Sequence, residues 1–242
     1  HYQKAYQLAP DNIEVCSGYF GFLLDQKDIK TAESIYQKIR DKNPDGCEGN
    51  LFAAQLEIAR ENYTTALRRL DECLALRPSL TTAAILKSQV YLKQKNFTAA
   101  VENATLAFQM DPQSGLAARQ LASSLFERNR DLGSKVTDQQ IAEADRAVGL
   151  AMVLNPGEWQ LQSIYAETLD QQDPQRALAM RQVLLKNHPN PTNAMMLANM
   201  ALRQAQNEKD PAKQNALLEI AGNAYEQAWQ LAPADTAVQM AY

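Results

Sequence analysis

The sequence predicts an all-α fold, a solenoid of about six tandem helix-turn-helix hairpins, and three observations carry that prediction. The first is a fixed period. Pro10, Pro44, Pro78 and Pro112 follow one another in steps of 34 residues, and the series continues at Pro156, Pro189 and Pro233 in steps of 44, 33 and 44. The second is an alanine twelve residues before each of the last six prolines: Ala32, Ala66, Ala100, Ala144, Ala177 and Ala221. A small residue at a fixed distance from a helix-ending proline marks a place where two backbones approach closely. The third is composition: 45% hydrophobic residues supply a core, while 9 glycines and 10 prolines are too few for a disordered or fibrous chain.

Residues 81–114 show the elements of one unit most clearly. Ala84, Ser88, Tyr91 and Leu92 recur with helical rhythm up to a polar break at Gln94–Asn96, which defines a first helix, A. Phe97, Ala100, Val101, Ala104 and Ala107 repeat the rhythm up to Pro112, where a helix cannot continue. That is helix B. Neither amphipathic helix buries its stripe alone, so the two pack as a hairpin and each hairpin stacks on the next. The register divides the chain into units 13–46, 47–80, 81–114, 115–158, 159–191 and 192–235, forming a single array. Residues 1–12 read as the tail of a helix B and 236–242 as the start of a helix A. Tyr2, Tyr6, Val238 and Tyr242 at those edges replace the polar cap of a finished solenoid, so the segment is expected to come from a longer array.

Both 44-residue steps add ten residues between helix A and helix B. In the first, Asn129 to Lys135 reads as a loop and residues 129–136 as a mobile excursion, after which Thr137 and Gln140 offer a capping box for helix B. In the second, Asp210 and Pro211 read as N-cap and first helical residue of a long helix B running to about Leu231.

No stretch is apolar enough to span a bilayer, and the formal charge of -4 lacks the clustered Lys and Arg of a nucleic-acid footprint. Of the two histidines, His1 is terminal and His188 precedes Pro189 in a turn. There is no H-E-x-x-H, Walker A or G-x-G-x-x-G pattern. No catalytic, cofactor-binding or metal-binding residue is assigned, and the chain is expected not to be an enzyme. Cys16, Cys47 and Cys73 form no C-x-x-C pair and read as reduced, buried small hydrophobes, which leans the compartment toward cytoplasm with periplasm open. The glutamine-rich style reads as bacterial. Asn62 and Asn96 begin N-x-T triplets but fall where a hairpin turn is expected, so they read as turn residues; Asn103 begins a third.

The 34-residue step, the alanine, the proline and a small residue early in helix A (Ala54, Ser88, Ala122 and Ala166) together resemble the tetratricopeptide repeat family over essentially the whole chain. Phe20 and Asn199 depart from the small-residue pattern, which implies looser or shifted packing there. In helix B an aromatic stands at Tyr36 and Tyr225, but Leu70, Ala104, Val148 and Arg181 occupy the same place elsewhere. The resemblance implies a right-handed superhelix whose concave face, built by successive A helices, holds a peptide or helix of a partner protein. The groove positions it implies are Leu51, Gln55 and Ile58, then Ile85, Gln89 and Leu92, then Arg119, Ser123 and Phe126. Members of the family that grip Hsp70 and Hsp90 chaperone tails need Lys and Asn in these helices. Ser17, Gly21, Leu51, Gln55, Ile85, Gln89, Arg119 and Ser123 stand there instead, which disfavours that partner. The alternatives to partner binding are a spacer that self-associates through open ends in a larger envelope or secretion complex, and a regulatory arm of an enzyme outside this segment.

Overall fold

A computed structural model describes residues 1–43, 46–155, 159–170 and 172–241, and among these the secondary structure is helical, with no strand. The helices are α1 (Tyr2–Leu8), α2 (Ile13–Asp25), α3 (Ile29–Lys42), α4 (Cys47–Ala59), α5 (Tyr63–Leu76), α6 (Thr81–Lys93), α7 (Phe97–Met110) and α8 (Gly115–Leu132), followed by α9 (Asp138–Leu154), α10 (Trp159–Leu169), α11 (Pro174–Asn187), α12 (Pro191–Asn207), α13 (Pro211–Leu231) and α14 (Thr236–Ala241). The chain forms two compact units, His1–Ser124 and Leu125–Tyr242. Helix α8 starts in the first and ends in the second. No helix among the described residues is long and apolar enough to cross a membrane.

In the first unit the A-to-B turn is the same object three times. Lys27, Glu61 and Lys95, one repeat apart, adopt left-handed φ values of 59°, 62° and 58°. Each closes a Schellman motif. The amides of Asp28, Asn62 and Asn96 donate to the carbonyls of Leu23, Glu57 and Tyr91 at 2.8–2.9 Å, and those of Lys27, Glu61 and Lys95 donate to Leu24, Ile58 and Leu92 at 3.0 Å. The residue after the left-handed one is the N-cap of the next helix, so no loop is needed. Asp28 accepts from the Thr31 amide and Asn96 from the Ala99 amide, which makes Asn96 the turn residue the sequence implies. Asn62 is likewise an N-cap, with its amide group held by Glu57 at 2.8 Å.

The sealed seam between A and B lies where the small residues recur. Ala32, Ala66, Ala100, Ala144 and Ala177 are completely buried and Ala221 nearly so, as are Ala54, Ser88, Ala122 and Ala166. Ser88 Oγ donates to the Ala100 carbonyl at 2.8 Å, a direct bond from helix A to the backbone of helix B. It also meets Ser124 Oγ at 3.0 Å and accepts from Gln120 Nε2 at 2.9 Å, so this buried polar layer is satisfied from α8. At the two departures from the small-residue pattern the local packing differs. Phe20 fills its place with an edge-on ring contact to Phe52 at 4.6 Å. In α12 the buried residue is Ala198, and Asn199 turns outward to accept a bond from Tyr225 Oη at 2.7 Å.

The cysteine reading is corrected. Cys47 and Cys73 form a disulfide with a Cα–Cα separation of 4.5 Å, and Cys16 alone is free. An antiparallel hairpin brings the first turn of α4 beside the last turn of α5, so residues 26 apart in sequence become neighbours. Cys16 lies in the preceding hairpin, where its Sγ donates to the Pro10 carbonyl at 3.2 Å and burial pushes its thiol above the ordinary range.

The second unit builds its helix starts differently. Asp173, Asn190 and Asp210 each cap a helix whose first residue is proline, accepting from the amides of Arg176, Asn193 and Ala212. The capping box of Thr137 and Gln140 is formed at α9, and α13 runs Pro211–Leu231 as expected. The loop expected at Asn129 to Lys135 is not one. Helix α8 continues to Leu132, and Gly133–Lys135 form a 3-10 turn that Gly133 enters with φ +55°. Asn129 is buried and donates to the Gln140 carbonyl at 3.1 Å, while its Oδ1 accepts from Arg128, which also reaches Glu143 at 2.9 Å. These bonds tie the end of α8 to α9 at Arg128 and Asn129. The repeat prolines Pro44 and Pro156 lie outside the described residues.

Two measurements check this account. Ala100→Phe overpacks the α6–α7 seam and is expected to cost about 1 to 3 kcal/mol; an unchanged melting midpoint would mean the seam is elsewhere. Denatured, unreduced protein should take up alkylating reagent at Cys16 alone, and reduction of the 26-residue disulfide loop should lower stability by about 3 kcal/mol. Three reactive thiols before reduction defeat the pairing.

Candidate functional site

The implied groove residues of the first unit sit on its A helices, with unequal exposure. Gln55, Ile58, Gln89, Leu92, Arg119 and Ser123 are half-buried. Leu51 packs partly against the Cys47–Cys73 cluster, and Ile85, 9% exposed, belongs to the core with Ala84, Ala107 and Ala117. In the second unit Phe126 is 2% exposed and stacks on Tyr165 with ring centroids 4.7 Å apart. Phe126 and Ile85 are therefore packing residues. The groove positions left at the surface of the first unit's A helices are a row of amides and a hydroxyl, Gln55, Gln89 and Ser123, with Arg119 beside them and the half-buried Ile58 and Leu92 at its edges.

A cleft opens in the second unit, away from the expected groove positions. It has a volume of about 510 Å³ and is lined by the end of α8 (Asn129, Arg130, Gly133), by Ser163, Ile164 and Glu167 of α10, and by Met196, Asn199 and Arg203 of α12. Arg181 of helix α11 reaches into this lining. Its side chain is 3% exposed, yet it is a helix B residue at a place where the other repeats carry Tyr, Leu, Ala or Val. The guanidinium inserts between α10 and α12: Nη1 donates to Ser163 Oγ and lies 3.2 Å from Met196 Sδ, and Nη2 donates to Glu167 Oε2 at 3.1 Å. Nε is buried and finds no acceptor among the described residues.

Glu167 holds a second arginine. Its other oxygen accepts from Arg203 Nη2 at 2.9 Å, and Arg203 also reaches Asp170 at 3.0 Å. Burial pushes the Arg181 guanidinium below its ordinary value, and the adjacent Glu167 carboxylate only partly restores it. Arg203 moves the other way, because its bond to Asp170 and the charges of Glu167 and Asp170 outweigh its partial burial. Three arginines and one glutamate thus line the cleft, with Asp170 behind Arg203 and Glu127 paired to Arg130. The signal in the sequence was Arg181 itself, a charge at a core position, which reads as degeneracy until the structure shows where it points. Two further depressions carry no buried charge of this kind: one between α11 and α13, lined by Leu178, Gln182, Leu217 and Ile220, and one in the first unit beside Tyr6, Ile35 and Lys38. No cluster of three metal-ligating side chains occurs among the described residues.

No family model and no curated protein matches the sequence. Solved structures do. YrrB, described as a TPR protein with an unusual peptide-binding site, superposes with a TM-score of 0.57 over 85% of this chain and 96% of its own, at 16% identity. The Cut9–Hcn1 hetero-tetramer of the APC/C gives a TM-score of 0.65 over 99% of this chain and 44% of that one, at 16% identity. PilF of Pseudomonas aeruginosa gives 0.63 over 99% and 97%, at 14% identity. The chain has the tetratricopeptide-repeat fold, an all-α arrangement of helical hairpins.

Arg181 and Glu167 should respond asymmetrically to mutation. Glu167→Gln leaves a buried guanidinium without its carboxylate and is expected to cost about 1 to 3 kcal/mol. Arg181→Met removes the buried charge and leaves Glu167, half exposed, to water and Arg203, so stability should hold within about 1 kcal/mol or rise. Urea unfolding of both variants measures this, and the reverse order would show that Arg181 is held for stability.

Proposed function

We propose that the protein is a non-catalytic binding module whose A-helix faces hold a peptide or helical segment of another protein. The observation that carries this reading is the second-unit cleft. It combines half-exposed apolar side chains, Ile164 at 52% and Met196 at 38%, with a few converging polar groups, the composition of a site that anchors a ligand and fixes its orientation. On the first unit the amides of Gln55 and Gln89 and the Ser123 hydroxyl are suited to hydrogen-bonding an extended backbone, with Leu51, Ile58 and Leu92 contributing apolar edges. YrrB, with the same fold, has a peptide-binding site, which is consistent with this use of the fold. The repeats are read as one array in the register 13–46 to 192–235. Hsp70 and Hsp90 tails are disfavoured as partners because the clamp residues are missing from α2, α4, α6 and α8. The Cys47–Cys73 disulfide moves the preferred compartment from cytoplasm to an oxidising one, where such a bond persists.

Site-specific photocrosslinking in the intact protein tests the reading. A crosslinking amino acid at Gln55, Gln89 or Ile164, on A helices, should capture the partner in its native extract. The same group at Arg68, Glu102 or Glu226, exposed on B helices, should not. Equal adducts from both sets would move the binding site off the A-helix faces.

A further inference from the structure

We infer that the Arg181–Glu167–Arg203 cluster is a carboxylate-recognition subsite, in which Glu167 occupies in the free protein the place that a carboxylate of the bound segment takes in the complex. The inference rests on the reading that the A-helix faces bind a partner segment, and it assigns the chemistry of one anchor in that segment.

Three observations carry it. First, a buried guanidinium is a poor way to stabilise a helix packing, since an apolar side chain of similar size usually serves as well or better. Five of the six repeats place an uncharged residue at this position, and the seams on either side of Arg181 are sealed by Ala166, Ala177 and Ala198 without its help. Second, Arg181 is left short of partners. Its side chain is 3% exposed, its Nε has no acceptor among the described residues, and one of its contacts is the weak acceptor Met196 Sδ. A desolvated cation in that state gains from a carboxylate held against it under water exclusion, which a seated ligand provides more firmly than a half-exposed side chain.

Third, the carboxylate now present is the replaceable member. Glu167 is 55% exposed and sits on a flexible side chain, whereas Asp170, which holds Arg203 from behind, is 13% exposed and fixed by Gln204 Nε2 at 2.6 Å. Swinging Glu167 into water gives up an exposed ion pair with Arg203, which is weak, and a bond to the buried Arg181 that the incoming carboxylate replaces. Its two oxygens mark where a ligand carboxylate would sit, one oxygen toward Arg181 Nη2 and one toward Arg203 Nη2. Arg203 remains in place because Asp170 retains it. Ser163 supports Arg181 on the far side, and Ile164 and Met196 flank the opening with apolar surface for the chain that bears the carboxylate. This fork is built from a helix B arginine threaded between two A helices, so it does not depend on the Lys and Asn positions that this chain lacks.

The test uses the full chain labelled with nitrogen-15 and reads the arginine Nε–Hε resonances, with the Arg181 signal assigned by its loss in Arg181→Met. Four small probes are titrated at matched ionic strength: N-acetyl-leucine and its carboxamide, and N-acetyl-glutamate α-methylamide and its glutamine counterpart. The two carboxylates should shift the Arg181 and Arg203 signals saturably, and their amide isosteres should not. The tighter of the two tells a chain terminus from an acidic side chain. Glu167→Gln removes the competing carboxylate and should bind the carboxylate probes at least about fivefold more tightly. Arg203→Gln, an exposed substitution that spares the core, should weaken them about tenfold. Equal shifts from acids and amides, or a Glu167→Gln variant that binds no tighter, would overturn the inference. The probes report on the cleft alone, so a negative result here leaves the A-helix reading to the crosslinking experiment, and crosslinks confined to B helices would sink that reading without touching this one.

Discussion

The distance of closest approach between two helix backbones sets everything else in this molecule. A helix packed through large side chains sits about 10 Å from its neighbour, and one packed through alanine sits nearer 8 Å. At the nearer distance the Ser88 hydroxyl reaches the Ala100 carbonyl directly. Once the seam is this tight, the turn between the helices must be short. The chain then reverses through a single left-handed residue, Lys27, Glu61 or Lys95, although each carries a side chain that disfavours that conformation. The strain at these positions is accepted because the Schellman bonds satisfy the last carbonyls of A and the following residue caps B. Burial of small residues at the seam thereby dictates the turn chemistry on the surface.

That coupling explains which parts of the structure the sequence reveals. The seam requires alanine or serine at fixed places, and the end of helix B requires proline shortly after, so both leave a periodic trace. The turns leave a fainter one, since Lys, Glu and Lys share no side-chain chemistry and only their spacing marks them. The capping box at Thr137 and the Asp-Pro start at Asp210 are legible because each is a local motif whose side chain satisfies its own backbone. Asn129 is not legible in this way. A polar residue before Arg, Asp and Gly reads as the start of a loop, but its partner is the Gln140 carbonyl eleven residues on, and only the folded chain supplies it. The cysteines fail for the same reason. Three residues allow three pairings, and the choice of Cys47 with Cys73 follows from which ends of an antiparallel hairpin meet.

The candidate site divides along the same line. Helix-A positions that face outward can be counted from the register, and Gln55, Gln89, Arg119 and Ser123 do retain surface. Counting fails for the large apolar ones. Phe126 and Ile85 satisfy the positional rule for a groove but lie next to Tyr165 and Ala107, and burial wins because a large side chain gains more from packing than from facing water. Arg181 is the converse case, a residue whose position says core and whose chemistry says surface. It resolves the conflict by length: its head group inserts between α10 and α12, where it bonds Ser163 and Glu167 at the wall of the cleft.

The ten added residues after α8 acquire a role from this geometry. Had they formed a free loop, the cleft would have lacked its third wall. Instead α8 extends through the position where the earlier A helices turn, and Asn129, in the place of Lys95, is helical and bonded to α9. The extension carries Arg130 and Gly133 to the lining of the cleft. Gly133 then supplies the positive φ that ends the helix without strain. The insertion and the buried arginine, the two places where the second unit departs most from the repeat, thus meet at one site. A stacking scaffold has no need of either, since its seams are complete without them. Their convergence on a single cleft is what supports the proposal that the cleft is a recognition surface.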